Sequence, residues 1–236
     1  MNNIKIFNDV EELTKAFAEF IKTELEDKNS YSIALSGGST PKFIFQYLTK
    51  NYKDSIPWSK INFYWGDERC VPPTDEQSNF KLADDNLFKE LGIKEDQIFR
   101  IKGEIEPIIE AENYSKILEE SLPNKNGIPV FDLIWLGLGD DGHTASIFPY
   151  EINLFNSINF CEVAHHPISG QKRITLTGKV INNAEKVLFI AVGKNKAEKI
   201  KEVFVDKNFD LPATLVNPLN SNLFVFIDRE AAKRLS

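Results

Sequence analysis

The sequence predicts an α/β chain, a single domain over residues 1–236, with a mainly parallel sheet and helices on both faces. Three observations carry that expectation. Short apolar runs of strand length alternate with longer segments whose apolar residues recur at helical spacing. Most of those runs lack the apolar–polar alternation of a half-solvated strand, so they are expected to be buried on both faces, as parallel strands are. No repeat, low-complexity tract or linker interrupts the pattern, and the turn-rich stretch NPLNSN (217–222) is too short to separate domains.

The elements follow in order. Residues 9–27 read as a helix: Val10, Leu13, Phe17, Phe20 and Ile21 share one face, and Asp9 with Glu12 forms a capping pair. YSIAL (31–35) reads as a buried strand. SGGST leads into a helix beginning PKFIFQYL, with Thr40 as N-cap and Pro41 at the first helical position. INFYW (61–65) is a second strand, followed by the polar loop GDERCVPPTDEQS. Ser78 caps a helix presenting Phe80, Ala83, Leu87 and Leu91, and Pro107 opens another that runs to about Leu122. FDLIWL (131–136) is a third strong strand; FCEVA and RITLT are shorter ones. KVLFIAV (186–192) is a buried strand, KAEKIKEVF a helix, and LFVFI (223–227) the last strand before a closing helix. Ligands of open α/β sheets bind beyond the carboxyl ends of the strands. The loops after YSIAL, INFYW, FDLIWL and KVLFIAV are therefore expected to converge on one site.

Composition narrows the classes. The chain is 42% hydrophobic and 27% charged, a globular balance, and its net charge of −7 argues against bulk nucleic acid as a partner. A local basic pocket for a small anion remains compatible with that average. Cys70 and Cys161 stand far apart and outside any C-x-x-C spacing, so neither a zinc site nor a disulfide framework is expected, and two reduced thiols suit a cytoplasmic protein. MNNIKIFNDVEELTK lacks the charged start and apolar stretch of a signal peptide. No apolar run approaches the ~20 residues that span a bilayer. Oligomeric state has no signature here.

Three loops carry candidate chemistry. In SGGSTP, Gly37 and Gly38 let the backbone approach a ligand, a helix N-terminus follows, and Ser39 and Thr40 add hydroxyls. That suits phosphate, without the lysine of an ATPase P-loop. In WGDERCVP, Asp67, Glu68 and Arg69 follow a buried strand. They read either as a solvated charge run or as a site in which Arg69 clamps an anion and Asp67 contacts the same ligand.

GLGDDGHTASIFP (137–149) spells G-x-G-x-x-G at Gly137, Gly139 and Gly142, the fingerprint of a dinucleotide site, with Glu162 at the later acidic offset. Pro149 stops any helix about two turns after Gly142, and Asp140 with Asp141 puts carboxylates where pyrophosphate would go. The better reading is a bent loop presenting His143 as a general base, with Asp141 orienting it. His165 and His166 are adjacent, so they would face opposite ways in a strand and are read as loop residues rather than metal ligands. Arg173 and Lys196 lie beside strands and can add positive charge to a pocket. Ser146 lacks a nucleophile elbow and reads as a helix residue or hydrogen-bond partner. No metal or cofactor is expected.

In this order, LSGGSTP (35–41), FYWGDERCVPPTDEQSN (63–79), GLGDDGHTASIFP (137–149), RITLT (173–177), VGKNKAEKI (192–200), LPA (211–213) and the closing IDREAA resemble the 6-phosphogluconolactonases of the soluble pentose-phosphate type. The resemblance runs from about Tyr31 to the end. It implies a Rossmann-like parallel sheet, hydrolysis of 6-phospho-D-glucono-1,5-lactone, and no cofactor. It also implies His143 as the base, Arg69 of the D-E-R motif, Arg173, and Lys196 of the G-x-x-K pattern after Gly193. Two places depart from the family pattern: Asp140 stands where proline is usual, and VAHHPISGQKR is less proline-rich on its approach to Arg173. The nearest rival is a glucosamine-6-phosphate deaminase, whose IAFNEP and D-E-Y differ from TASIFP and D-E-R here. A non-catalytic sugar-phosphate-binding regulator is the rival from another class, and retention of His143 argues against it.

Overall fold

The computed structural model describes residues 3–235. Its strands, in chain order, are β1 (Asn3–Phe7), β2 (Tyr31–Leu35), β3 (Ile61–Trp65), β4 (Asp67–Arg69), β5 (Asn124–Lys125), β6 (Ile128–Pro129), β7 (Leu133–Leu136), β8 (Cys161–His165), β9 (Lys172–Leu176), β10 (Val187–Ala191) and β11 (Leu223–Asp228). The α-helices are α1 (Val10–Leu25), α2 (Ser39–Tyr52), α3 (Asn79–Ala83), α4 (Lys89–Leu91), α5 (Pro107–Ser121), α6 (Gly178–Ile181) and α7 (Ala197–Phe204), with a π-helical turn joining α3 to α4.

Six strands form one sheet in the order β1-β11-β10-β7-β2-β3, and every pairing is parallel. The inner strands β2, β7 and β10 are buried at every residue, which is why their sequences read as unbroken apolar runs. Helices flank this sheet; α1, for one, turns Leu13, Phe17, Ala18, Ile21 and Leu25 inward, with Phe17 tilted against Trp135 of β7. From β2 the chain moves outward to β3, then returns to place β7 on the other side of β2. The crevice beyond the carboxyl ends of β2 and β7 is thus the topological switch point, where open α/β sheets bind ligands.

A second, antiparallel sheet has the order β4-β9-β8. It is tied to the first where Gly66 N–H donates to Leu35 and Leu176 N–H donates to the Gly66 carbonyl. This corrects the reading of GDER as loop: Asp67, Glu68 and Arg69 are a strand because β9 offers them a ladder. Four further differences stand out. The edge strand β1 has no counterpart in the sequence reading. The segment after Asp228 makes turns rather than a closing helix. The N-cap of α2 is Gly38, not Thr40, and no side chain caps it. Residues 143–148 form a turn, not a short helix, and Pro149 instead opens a 3₁₀ segment.

Candidate active site

Loops from both sheets enclose a cavity of about 270 Å³ at the switch point. Ser36 and Gly37 come from the end of β2, Asp67 and Arg69 from β4, Asn79 from the start of α3, Gly137 to Asp140 with His143 and Ala145 from the loop after β7, Arg173 from β9, and Lys196 from the loop after β10. The four expected loops therefore meet. A larger groove, about 690 Å³, runs between α5 and β8, but it contains no histidine or arginine. Among the described residues, no set of three or more His, Cys, Asp or Glu side chains is placed to hold a metal. No helix among them is long and apolar enough to cross a membrane.

The histidine is held from several sides. Asp141 Oδ1 lies 2.6 Å from His143 Nδ1 and also accepts the His143 backbone N–H at 3.0 Å. Burial works to raise the Asp141 carboxyl, but the hydrogen bond and charge of the imidazole outweigh it and bring it down to about 2. A carboxylate that is ionised can only accept, so Nδ1 carries a proton, and in the neutral ring Nε2 is the nitrogen with the free lone pair. Phe148 packs against the ring with centroids 4.7 Å apart. Gly139 lies under it, where an added Cβ would come within 2.1 Å of Nδ1, so the loop closes on the imidazole only because that position has no side chain. Gly139 N–H donates to the His143 carbonyl, closing the loop around the ring. Ala145 sits at φ +49°, a left-handed conformation costly for a residue with a Cβ, within the turn that lines the cavity.

Cations line another side of the wall. Arg69 and Arg173 face each other in register across β4 and β9, and each has a buried Nε–H without a partner. Like charges directly opposite on a ladder repel, so the pair calls for an anion between or beside them. Burial pushes the Arg173 guanidinium below its ordinary value; Asp67 works against that fall and Arg69 adds to it. Arg173 also lies over the Phe148 ring, 5.6 Å from its centroid. Arg69 donates from one terminal nitrogen to the Gln77 carbonyl at 2.6 Å. Lys196 meets Asp140 at 2.5 Å.

Asp67 is buried and accepts from Ser146 Oγ at 2.6 Å, so Ser146 is a hydrogen-bond partner and not a helix residue. Glu68, also buried, accepts the backbone N–H groups of Arg69, Asn79 and Phe80 and the Ser78 hydroxyl. Burial pushes its carboxyl up, and those four donors offset some of the rise. Glu68 thereby fixes the start of α3, and the Asn79 amide then donates to the Asp67 carbonyl at 2.9 Å.

Of the sequence-derived candidates, Gly37, Asp67, Arg69, His143, Arg173 and Lys196 line the cavity, and Asp141 holds His143 from behind. Gly38, Ser39 and Thr40 stand at the start of α2 next to Gly37 but are not among the lining residues. Ser36, Asn79 and Asp140 line it without having been singled out as ligand contacts. Asn79 sits inside the S-N pair that ends the second matched segment, the one sequence signal that points to it. His165 ends β8 with Nδ1 3.0 Å from Glu151, and His166 accepts from Ser169 and packs edge-on against Phe148 at 5.6 Å; neither is among the residues that line the cavity.

Residues 8–225 match the family model described as glucosamine-6-phosphate isomerases/6-phosphogluconolactonase. A 6-phosphogluconolactonase of Treponema pallidum is 41% identical over 207 residues, covering 88% of this chain and 86% of its own. The crystal structure of devB protein superposes with a TM-score of 0.95 at 36% identity over the whole of both chains. That of a Leishmania guyanensis 6-phosphogluconolactonase gives 0.88 at 26% identity, over 100% of this chain and 99% of the other.

Proposed function

The chain belongs to the glucosamine-6-phosphate isomerase/6-phosphogluconolactonase family, and from that premise we propose that it hydrolyses 6-phospho-D-glucono-1,5-lactone to 6-phospho-D-gluconate. The observation that carries the reading is the presence, in one cavity, of a carboxylate-held histidine and three cations. A base and an anion clamp in one cavity suit an ester at one end of a sugar and a phosphate at the other.

In the proposed reaction His143 Nε2 takes a proton from a water molecule as that water attacks the lactone carbonyl carbon. General-base assistance of this kind is worth about 10²–10⁴-fold. Negative charge gathers on the carbonyl oxygen, and backbone N–H groups of one of the glycine loops are the proposed donors to it. The ring C–O bond then breaks, the ring oxygen takes the proton from His143, and the carboxylic acid so formed gives its own proton to water and leaves as the carboxylate. Asp141 stabilises the imidazolium formed in between. Arg173, Lys196 and the Gly37–Gly38–Ser39–Thr40 segment at the start of α2 bind the phosphate, and Arg69 shares that anion across the β4–β9 ladder. Asp67, anchored by Ser146, contacts the sugar. Binding energy at the phosphate thus positions the reacting carbonyl.

One continuous hydrophobic core from α1 to β11 supports treating residues 1–236 as one domain. The two free thiols suit the reducing cytoplasm. The test is hydrolysis of 6-phosphogluconolactone measured above its spontaneous rate, beside an assay for ammonia release from glucosamine 6-phosphate. Lactone hydrolysis without ammonia supports the proposal; ammonia release, or a lactone rate equal to background, refutes it.

A further inference from the structure

Asp140 lines the cavity, and its Oδ1 accepts from Lys196 Nζ at 2.5 Å and from Asn195 Nδ2 at 3.0 Å. The other cavity carboxylate, Asp67, is engaged by Ser146, and Asp141 behind the wall is engaged by His143. Among the described residues, neither Arg69 nor Arg173 forms an ion pair with a carboxylate. Of the three cations offered to phosphate, Lys196 alone is already neutralised. Its side chain is only 21% exposed whereas that of Asp140 is 69% exposed, so the carboxylate is the partner free to swing away. A dianionic phosphate drawing on Lys196 would meet Asp140 at the same ammonium, and like charges at that distance repel.

We propose that Asp140 is the resident counter-ion of the phosphate subsite. It holds Lys196 in the unliganded protein, is displaced when a phosphorylated sugar binds, and so sets the affinity for the phosphate group. The inference rests on the reading of this cavity as a sugar-phosphate site. Two features of the fold fit an exchangeable counter-ion. Asp140 occupies a turn between Gly139 and Asp141, so its departure requires rotation of an exposed side chain and no strand movement. The His143 couple runs through Asp141, leaving the base in place when Asp140 lets go.

The test is calorimetric binding of inorganic phosphate and of 6-phosphogluconate to the whole protein, comparing wild type with Asp140→Asn. The amide preserves shape and the capacity to accept from Asn195 while removing the charge. Phosphate Kd is expected to fall about twofold to fivefold, the scale of a largely exposed ion pair. That gain is expected to vanish in a Lys196→Met background, or in Lys196→Gln if the first variant folds poorly. Unchanged or weaker phosphate binding by Asp140→Asn overturns the proposal, as does the same gain without Lys196, or an absence of saturable phosphate binding in both proteins. A residue serving only to clasp the two loops would instead lower the melting temperature and weaken binding on substitution. If the wild type binds phosphate and Asp140→Asn tightens it, yet no lactone is hydrolysed, the counter-ion stands and the proposed reaction falls.

Discussion

At the scale of single residues, the usefulness of His143 depends on which ring nitrogen carries the proton. Asp141 settles that by accepting from Nδ1 and from the backbone N–H together. Replacing Asp141 with Asn keeps the size but lets the amide present a donor to Nδ1, so the ring can take the other tautomer. We expect kcat to drop about 10²-fold or more with little change in KM, read from steady-state kinetics; an unaltered kcat would remove Asp141 from the mechanism. The sign of its titration matters too. The Asp141 carboxyl is lowered to about 2, so its contribution is complete above the ordinary carboxylate range and is lost only as pH falls through about 2. A wild-type activity profile should therefore show no loss near pH 4 that disappears in the Asp141→Asn variant. Gly139 gives a second residue-scale prediction. Gly139→Ala pushes a methyl group into the imidazole, and kcat should fall with circular dichroism unchanged; full activity would mean the ring has another resting place.

At the scale of elements, β4 shows why some of the site was not legible. Its three residues are all charged, so nothing local marks a strand; its state comes from β9, more than a hundred positions further along. The long buried strands were legible because burial on both faces leaves an apolar run in the sequence. β1 was not, since its residues are partly or fully exposed at the sheet edge. The closing helix failed because Asp228 Oδ1 accepts the Ala231 N–H while its other contacts hold Gly193, which pins a turn there. Asp140 reaches the cavity beside Lys196, a partner 56 positions away that no local pattern exposes, whereas Asn79 and its partner Asp67 lie within one matched segment. The loops holding His143, Arg69 and Gly37 were legible because glycine and charge after an apolar run are local signals. One element-scale prediction concerns Glu68, whose two oxygens serve three donors at the start of α3 and the Arg69 N–H of β4. Glu68→Gln replaces one acceptor with a donor, leaving a buried N–H unpaired at a cost of about 1–3 kcal/mol. Chemical denaturation should register that loss; stability equal to wild type would show that α3 starts without it.

At the scale of the whole molecule, the parallel sheet does one thing for function: it brings four loop ends to the crevice between β2 and β7, while the small antiparallel sheet adds two arginines from the side. Separate loops thus carry the proposed base and the proposed anion clamp, and the effects of substituting them should separate as well. Arg173→Met should raise KM for the phosphorylated lactone by about tenfold or more, the scale of a lost charge-assisted hydrogen bond, while leaving a phosphate-free δ-lactone little affected. An equal loss on both substrates would take Arg173 out of the phosphate subsite. The central claim, that this loop arrangement makes His143 the base for lactone hydrolysis, is tested most directly by His143→Ala assayed on 6-phosphogluconolactone against the spontaneous rate. The expected kcat is lower by about 10²–10⁴-fold, with binding of 6-phosphogluconate retained. A variant that hydrolyses the lactone as fast as the wild type would contradict it.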